Sequence, residues 1–339
     1  MIDNLNHALS CYALNVKNIE NLNHNGSYKL TDDKNKKYFL KIYGKNNDDD
    51  IIPGERVYHT YEQLQIESEI LNILSKSVMK TAAPLKNING GFVTVLEPDA
   101  NGENIYATVT SFIDGTVKKN PETPTKEMAY ISGASAAQLH IESKKNLLPL
   151  AVKRPHKRQD YIKKIREVLS RGINTGSLTK TQYKMLGECC DAIINCMNEL
   201  DKDFENNVGL VHTDIRSSNI IYNQNHGTLI DFSRCVYSYY LYDVAEMCLH
   251  GDFGGSSRDL QKEILRGYNS VKPLNKEHLF AVQVLFAMFI LMLMAYFIEN
   301  KENAWLINVL KWFADEVHPG LVSGKGYLDI SYFEDIFII

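Results

Sequence analysis

Three polar residues in one short stretch, Asp214, Asn219 and Asp231, have the side chains and the spacing that phosphoryl transfer requires. The tail of a nucleoside triphosphate carries several negative charges, which Mg²⁺ neutralises while a hydroxyl approaches the terminal phosphorus in line. Because Mg²⁺ accepts a few protein oxygens and keeps water and phosphate as its other ligands, the Asn219 amide and the Asp231 carboxylate suffice to bind it. Asp214 then remains free of metal to orient the attacking hydroxyl and take its proton.

The residues around these three predict a strand, a loop and a hairpin that bring them together. An apolar strand ends at Val211, residues 214–218 form a tight loop, and residues 219–222 form the next strand. The stretch 223–227, Asn-Gln-Asn-His-Gly, is a hairpin signal, so the strand that follows it returns Asp231 to a position beside Asn219. Ordinary turn formation by Asp and Asn is the alternative interpretation, and the joint spacing makes it the weaker one.

The same residues resemble the aminoglycoside phosphotransferase, choline kinase and homoserine kinase group of small-molecule kinases. That family shows His-Gly-Asp, four variable residues, Asn, then Ile-Asp-Phe and, about a dozen residues later, Asp-Leu-Ala. The matching positions are His212-Thr213-Asp214, Asn219, Ile230-Asp231-Phe232 and Asp243-Val244-Ala245. Thr213 replaces the usual glycine, and Arg216-Ser217 stands where His-Pro is common, which leaves the fine geometry of the loop open.

The resemblance implies an α+β, two-lobed, protein-kinase-like fold that binds ATP and Mg²⁺ between its lobes. Residues 1–110 are expected to form an antiparallel sheet with one main helix, and residues 116–339 a larger, mostly helical lobe that carries catalysis and binds the acceptor. Residues 111–115 are expected to link the lobes. In this linker the backbone of Ser111, Phe112 and Ile113 would meet adenine, although a plain edge strand ending in a turn is an alternative.

In the N-terminal lobe, the resemblance implies a strand lysine and a helix glutamate that together position the triphosphate. Lys41 lies within the β-rich run 38–43, and Glu67 precedes two leucines at helical spacing, as the family's helix glutamate does. We therefore expect Glu67 to pair with Lys41. Glu62 and Glu69 lie on the same predicted helix and remain alternatives for this pairing.

Four other polar residues have supporting roles in this interpretation. Ser27 follows a turn with a single glycine, where its hydroxyl and nearby amides would cover the β-phosphate, and a hairpin with no ligand is the alternative. Arg216 stands where serine/threonine protein kinases have a lysine that touches the transferring phosphate, so it either neutralises developing charge or is a solvated loop residue. His212 is expected to pack behind the loop, and Asp243 to anchor the loop or begin a helix.

The stretch after Asp231 favours a small acceptor over a protein. A protein kinase needs a long activation segment that ends in Ala-Pro-Glu, whereas Asp243 follows Asp231 by only twelve residues and no such tripeptide is present. An aminoglycoside-like antibiotic, an amino alcohol and a hydroxy amino acid all fit as the hydroxyl acceptor. A compact serine/threonine protein kinase and a non-catalytic nucleotide-binding protein remain rival functions.

Seven acidic residues between 299 and 335 raise the question of a cationic acceptor. Carboxylates attract amines, but the spacing among these seven is not distinctive. We therefore favour a solvated acidic surface over an acceptor site in this part of the chain.

Composition agrees with a two-lobed enzyme and excludes several other classes of protein. The 339 residues exceed the usual size of a single core, and the formal net charge of −4 argues against a nucleic-acid partner. Six cysteines include no Cys-x-x-Cys pair, which predicts reduced thiols and no zinc site. The first residues lack a basic segment followed by an apolar core, so the expected location is the cytoplasm, where ATP is available.

One apolar run, residues 279–298, is long enough to cross a bilayer. It contains a single Gln, it is rich in Met and Ala, and it lies where the C-terminal lobe needs a central helix. These features favour burial within the protein, so no membrane contact is expected. The sequence does not indicate an oligomeric state.

Overall fold

The computed structural model describes residues 2–23, 26–44, 59–98, 102–115, 124–223, 226–249, 257–300 and 303–337. The strands are β1 (Val16–Asn23), β2 (Ser27–Asp32), β3 (Lys37–Tyr43), β4 (Val93–Leu96), β5 (Ile105–Ser111), β6 (Val208–Val211), β7 (Ile220–Asn223), β8 (His226–Leu229) and β9 (Val236–Tyr239). The helices are α1 (Ile2–Ser10), α2 (Tyr61–Leu74), α3 (Lys126–Glu142), α4 (Leu148–Ala151), α5 (Gln159–Thr175), α6 (Lys180–Leu200), α7 (Phe204–Asn207), α8 (Leu241–Leu249), α9 (Arg258–Val271), α10 (Lys276–Glu299), α11 (Asn303–Trp312) and α12 (His318–Val322).

Some predictions fall outside the described residues. They concern His24 and Asn25 in the turn before Ser27, residues 116–123 at the expected start of the C-terminal lobe, Gln224 and Asn225 in the hairpin turn, and the acidic Glu302.

The N-terminal part is a five-stranded antiparallel sheet in the order β1-β2-β3-β5-β4. Side chains alternate between the two faces of a strand, and on β2 and β3 Leu30 and Leu40 are fully buried. With Tyr28 and Tyr38 they form a cluster that includes Ala8 of α1, a short helix that the sequence analysis did not anticipate. The predicted antiparallel sheet is confirmed.

The main helix of this part, α2, packs against the other face of the sheet. Its first turn is capped by Thr60, whose side chain accepts a hydrogen bond from the amide of Gln63 at 3.3 Å. Leu64 of α2 forms a small core with Tyr43 of β3 and Val93 of β4. Because Lys41 and Tyr43 are two residues apart on β3, Lys41 lies on the face of the sheet that α2 covers.

The C-terminal part is mostly helical and contains two small two-stranded sheets. β6 pairs with β9, and β7 pairs with β8, both in antiparallel register. The hairpin joins Ile220 to Leu229 across its strands, which confirms the predicted return strand. These two sheets hold the ends of the segments on which the predicted site residues lie.

The long apolar run forms α10, the central helix of this part. α10 is long and apolar enough to cross a membrane by length and composition, but 83% of its most apolar window is buried inside the protein. Asn275 caps the helix through a reciprocal pair of hydrogen bonds with His278. The run is therefore a core helix, as the sequence analysis favoured.

Candidate active site

The loop between β6 and β7 is fixed by the carboxylate of Asp243, which lies in the first turn of α8. Its oxygens accept hydrogen bonds from the amides of His212 at 2.9 Å and Thr213 at 2.7 Å. His140 contacts the same carboxylate at 2.9 Å. Burial alone would raise the pKa of Asp243, but the hydrogen bond and charge of His140, with the charge and amide of His212, lower it below its ordinary value. Asp243 is therefore the anchor of the loop, as predicted.

Thr213 adopts a left-handed backbone conformation, which explains why glycine is usual at this position. Its φ is 59°, a region that strains a β-branched residue. Two hydrogen bonds hold it there, from its amide to Asp243 and from its hydroxyl to the carbonyl of Arg234 at 2.8 Å. The departure from the family pattern is thus accommodated by contacts that glycine could make only in part.

The predicted base, Asp214, is held from two sides. Its Oδ2 accepts a hydrogen bond from Asn219 Nδ2 at 2.8 Å, and the same nitrogen donates to the Asp214 carbonyl at 2.9 Å. Its Oδ1 accepts from Arg216 Nε at 2.7 Å. The side chain of Asp214 retains 17% exposure, so it is accessible from the surface of the site. Arg216 lies against the base through an ion pair of 2.6 Å.

Asn219 and Asp231, the predicted metal ligands, lie at the adjacent ends of the β7–β8 hairpin. The amide of Ile230 donates to the carbonyl of Asn219 at 3.0 Å, which brings the residue before Asp231 directly beside Asn219. Asp231 has a left-handed backbone, with φ of 61°, and its Oδ1 accepts from Ser233 Oγ at 2.7 Å. The three residues of the central prediction therefore lie on neighbouring chain segments.

Two side-chain oxygens that accept no hydrogen bond from the described residues could bind a hard divalent cation. Because Asn219 Nδ2 donates to Asp214, its Oδ1 is left with no hydrogen-bond donor among the described residues. Asp231 is exposed, and its Oδ2 has no partner among the same residues. One amide oxygen and one carboxylate oxygen are a ligand set that Mg²⁺ uses together with phosphate and water. The described residues contain no cluster of three His, Cys, Asp or Glu that could hold a metal.

His212 packs behind the loop. It is fully buried, its Nε2 lies 3.0 Å from the carbonyl of Ile230, and its ring meets Phe232 edge to face at 4.8 Å. It thereby ties the base loop to the strand that precedes Asp231. This is the packing role that the sequence predicted.

The N-terminal sheet brings Ser27 and Lys41 together on neighbouring strands. Lys41 is paired with Ser27 in the β2–β3 register, and its Nζ donates to Ser27 Oγ at 3.3 Å. Gly26, just before Ser27, has φ of 70°, and a Cβ there would lie 2.5 Å from the carbonyl oxygen of Ile42. Only glycine fits this approach, so Gly26 is held close to β3.

Glu67 lies on the buried face of α2 and is affected by charges from both parts of the site. Burial raises its pKa to about 7, Arg154 and Lys41 act to lower the pKa, and Asp231 acts to raise it. Its Oε2 is buried with no hydrogen-bond partner among the described residues. Of the alternatives for the Lys41 partner, Glu62 and Glu69 are exposed, whereas Glu67 is buried. No ion pair within 4.0 Å joins Glu67 to Lys41 among the described residues, so their pairing stays a prediction.

The predicted linker begins where β5 ends, at Ser111. Ser111 and Phe112 already use their amides, which donate to Ala83 at 2.7 Å and to Lys37 at 3.1 Å. The amide of Ile113 donates to no described residue. A Cβ at Gly115 would lie 2.2 Å from Ile221 Cγ2, so the end of the linker runs directly against β7 of the β7–β8 hairpin.

Arg154 is a buried residue of the site that the sequence analysis missed. It is 2% exposed and donates to three backbone carbonyls, those of Gln63 on α2 at 3.0 Å, Ser233 at 2.6 Å and Cys235 at 2.8 Å. It therefore joins the helix that carries Glu67 to the segment that follows Asp231. Its position within a basic run, residues 153–158, resembled a solvated surface and gave no signal of this role.

The acidic residues near the C-terminus are largely paired with surface cations. Glu299 contacts Arg171 at 2.8 Å, Glu334 contacts Lys276 at 3.1 Å, and Asp335 contacts Lys262 at 2.6 Å. This pattern favours the solvated acidic surface over an acceptor site.

Comparisons with known proteins agree with this arrangement. A family model described as "Phosphotransferase enzyme family" matches residues 15–274. An uncharacterized protein of Synechocystis sp., sll1119, is 24% identical over 228 residues, which is 64% of this chain and 58% of that protein, so the match spans less than two thirds of the relative.

Two solved structures share the fold over nearly the whole chain. A microcompartment-associated aminopropanol kinase has a TM-score of 0.64 and 17% identity, with coverage of 97% of this chain and 99% of that one. The amicoumacin kinase hAmiN, in complex with AMP-PNP, Ca²⁺ and Ami, has a TM-score of 0.63 and 16% identity, with coverage of 97% and 95%. The predicted kinase-like α+β fold is thereby confirmed.

Proposed function

The chain belongs to the phosphotransferase enzyme family and is a kinase, and on that premise we propose that it transfers the γ-phosphoryl group of ATP, with Mg²⁺, to a hydroxyl of a small molecule. The observation that carries this proposal is the convergence of Asp214, Asn219 and Asp231. Asn219 bonds to Asp214 at 2.8 Å, and the residue before Asp231 bonds to Asn219 at 3.0 Å. A base and two metal ligands in this arrangement suit in-line phosphoryl transfer.

In the proposed reaction, Asp214 orients the acceptor hydroxyl and takes its proton. A bond forms between the hydroxyl oxygen and the γ-phosphorus, the bond from that phosphorus to the bridging oxygen of the β-phosphate breaks, and ADP leaves. Arg216, which contacts Asp214 through Nε at 2.7 Å, would turn from the base toward the transferring phosphate. Asn219 holds Asp214 in place through its amide nitrogen.

The metal site would consist of Asn219 Oδ1 and the Asp231 carboxylate. When bound, Mg²⁺ would neutralise charge on the triphosphate. Ser233 orients the Asp231 carboxylate through its hydroxyl at 2.7 Å, which leaves the second oxygen for the cation.

We propose that the N-terminal sheet binds the rest of the nucleotide. Lys41 would contact the phosphates, Ser27 would cover them, and Glu67 would hold Lys41 in position. The backbone of Ser111, Phe112 and Ile113 would meet adenine, with the amide of Ile113 as the available donor. The complex of the amicoumacin kinase with AMP-PNP supports nucleotide binding by this fold. Residues 1–110, 111–115 and 116–339 would then be the two lobes and their linker.

A small acceptor is favoured because the segment between Asp231 and Asp243 is taken up by a strand and by the start of a helix. After one short turn it forms β9, which pairs with β6, and then enters α8. No length remains there for a peptide-docking platform. The burial of α10 supports a chain that does not cross a membrane, and we propose the cytoplasm as its location.

The proposal is tested by an acceptor screen with the purified chain, ATP and Mg²⁺. Aminoglycosides, amino alcohols and hydroxy amino acids are tested for acceptor-dependent release of ADP, and the product is identified as a phosphate monoester by phosphorus NMR. Phosphate on added protein but on no small molecule would favour a protein kinase instead. A thermal shift with ATP but no turnover across the panel would favour a non-catalytic nucleotide-binding protein.

A further inference from the structure

A buried tyrosine and a buried histidine lie behind the residue that anchors the base loop. Tyr268 of α9 and His140 of α3 are both 0% exposed, and Asp243 of α8 is 1% exposed. The hydroxyl oxygen of Tyr268 lies 2.8 Å from His140 Nδ1, and His140 Nε2 lies 2.9 Å from Asp243 Oδ2. Buried polar atoms are normally paired in this way. The three side chains therefore form one continuous hydrogen-bonded row from α9 to α8.

Two glycines bring α9 close enough to α3 for this contact. A Cβ at Gly133 of α3 would lie 2.0 Å from the carbonyl oxygen of Ile264 on α9. A Cβ at Gly267 of α9 would lie 1.9 Å from the carbonyl oxygen of Tyr130 on α3. Both distances are far shorter than Cβ atoms tolerate, and in both cases the neighbour is backbone, which cannot turn aside. Side chains at these positions would force the helices apart and displace Tyr268, the residue after Gly267.

The partners of the Tyr268 hydroxyl determine which ring nitrogen of His140 carries the proton. Among the described residues, this hydroxyl has no hydrogen-bond partner except Nδ1, so its proton has a single acceptor. Burial raises the pKa of the Tyr268 hydroxyl well above its ordinary value and lowers the pKa of the His140 imidazole, so the phenol keeps its proton and the ring is neutral. Tyr268 therefore donates to Nδ1, and the ring proton lies on Nε2, which donates it to Asp243.

Asp243 connects this imidazole to the loop that carries the proposed base. Its Oδ2 accepts from His140 and from the amide of His212, the latter at 2.9 Å. Its Oδ1 accepts from the amide of Thr213 at 2.7 Å, and Asp214 is the next residue. The orientation of the Asp243 carboxylate therefore sets the position of the backbone that leads into Asp214.

We propose that Tyr268 is a positioning residue of the kinase reaction, which acts through His140 and Asp243 on the loop of the base. This inference rests on the proposed function. It gives a role to α9, which carries none of the proposed nucleotide or metal ligands. Without the hydroxyl, Nδ1 is buried with no donor, and the imidazole is free to turn away from Asp243 or to take the other tautomer. The carboxylate would then lose the partner that holds it against the loop.

The test compares the purified wild-type chain with Tyr268→Phe, using ATP, Mg²⁺ and an acceptor found by the screen for ADP release. Phenylalanine keeps the buried ring and removes only the hydroxyl. We expect kcat to fall by roughly 10- to 100-fold, because a misplacement of about 1 Å at a reacting group is that costly. KM for ATP should be unchanged, because the proposed nucleotide ligands are not altered. A purely structural role would lower the melting temperature without separating kcat from KM in this way.

Tyr240→Phe is the matched control for the loss of a buried hydroxyl beside the same imidazole. Tyr240 is 1% exposed and its ring stacks on that of His140 at 4.7 Å. Its hydroxyl, however, donates to Ser143 Oγ at 3.3 Å and not to the imidazole. This control should keep the wild-type kcat.

Two further measurements show whether Tyr268 acts through His140. His140→Gln can still donate to Asp243 but has no ring nitrogen for the tyrosine, so adding Tyr268→Phe to this variant should lower kcat no further. Nitrogen NMR shifts of histidine-labelled wild type, assigned by comparison with His140→Gln, should show a neutral His140 ring with its proton on Nε2. If Tyr268→Phe does not fold, the ring nitrogen that carries the proton in the wild type decides.

Three results would overturn the inference. The first is a folded Tyr268→Phe variant with the kcat of the control, and the second is an equal loss caused by Tyr268→Phe in the wild type and in His140→Gln. The third is a wild-type His140 that is protonated on Nδ1. Each of these leaves the proposed kinase function intact if the wild type phosphorylates its acceptor. Absence of acceptor-dependent ADP release by the wild type with any hydroxyl compound would count against both.

Discussion

At the scale of single residues, two positions with left-handed backbone flank the proposed reaction centre. Thr213 and Asp231 have φ of 59° and 61°, and such conformations in residues other than glycine cost about 1–3 kcal/mol each. The cost is offset locally, by the hydroxyl of Thr213 on the Arg234 carbonyl and by Ser233 on Asp231. Both residues are thereby held in the left-handed conformation by hydrogen bonds of their own side chains.

The contacts of Thr213 predict an order of stability among its variants. Thr213→Val keeps the branched Cβ in the strained conformation but loses the hydrogen bond, so it should destabilise the protein by about 1–3 kcal/mol. Thr213→Gly loses the same bond but relieves the strain, so its effect should remain within about 1 kcal/mol. Denaturant unfolding measures both. A valine variant as stable as the glycine variant would contradict this account.

The raised pKa of Glu67 predicts how the free energy of unfolding depends on pH. Its pKa is raised to about 7 in the folded protein from 4.5 in the unfolded chain, so between these values the folded state binds more protons. The free energy of unfolding should therefore fall as pH rises through this window, by up to about 3 kcal/mol relative to a Glu67→Gln variant. The measurement is chemical unfolding of both proteins from pH 5 to pH 8.

A matched control separates burial from simple loss of charge. Glu69 lies on the same helix but is exposed, so Glu69→Gln should leave the pH dependence of the wild type unchanged. Identical pH slopes for the wild type and Glu67→Gln would refute the assignment of this dependence to Glu67. The charges that act on Glu67 are those of Arg154, Asp231 and Lys41.

At the scale of elements, Arg154 connects α2 to the turn after Asp231. Its three hydrogen bonds, to the carbonyls of Gln63, Ser233 and Cys235, cross between elements that are distant in sequence. Arg154→Met should destabilise the protein by roughly 3 kcal/mol or more, because three carbonyls lose a charged donor in a buried place. It should also weaken binding of ATP with Mg²⁺, because Arg154 no longer joins the helix that carries Glu67 to the segment that follows Asp231.

The neighbouring Lys153 provides the control for this prediction. It is exposed, and only its backbone carbonyl bonds to α2, so Lys153→Met should change stability by no more than about 0.5 kcal/mol. Chemical unfolding and calorimetric titration with ATP and Mg²⁺ measure the two effects. An Arg154→Met variant with wild-type stability would show that the three hydrogen bonds of Arg154 are not needed for stability.

The elements near the site were predictable from sequence where local signals define them. The hairpin around residues 223–227 has turn residues between two apolar strands, and α2 and α10 have helical spacing or a long apolar run. Arg154 was not predictable in the same way. Its role depends on burial against partners far away in the sequence, and a run of basic residues usually remains in solvent.

At the scale of the whole molecule, the N-terminal sheet and the helical part contribute to one proposed nucleotide site. Lys41 and Glu67 belong to the first, and Asn219 and Asp231 to the second, yet Asp231 and Lys41 both act on the pKa of Glu67. ATP with Mg²⁺ should therefore join the two parts and stabilise the fold. At a ligand concentration of 100 times Kd the gain is about 2.7 kcal/mol.

The Asp231→Asn variant should lose the part of this gain that depends on the metal. We expect ATP with Mg²⁺ to raise the melting temperature of the wild type more than ATP alone does, and the difference to vanish in the variant. Asp160→Asn, at an exposed position on α5, should behave as the wild type does. A metal-dependent shift of normal size in Asp231→Asn would exclude this residue as a ligand.

Turnover by an Asp214→Asn variant tests the central claim most directly, because the substitution keeps the shape of the side chain and removes its ability to take a proton. Acceptor-dependent ADP release is compared with that of the wild type, and binding of ATP with Mg²⁺ is measured in parallel. We predict a loss of turnover of roughly 10²–10⁴-fold with nucleotide binding largely retained. Full turnover in a variant that binds ATP normally would contradict the account.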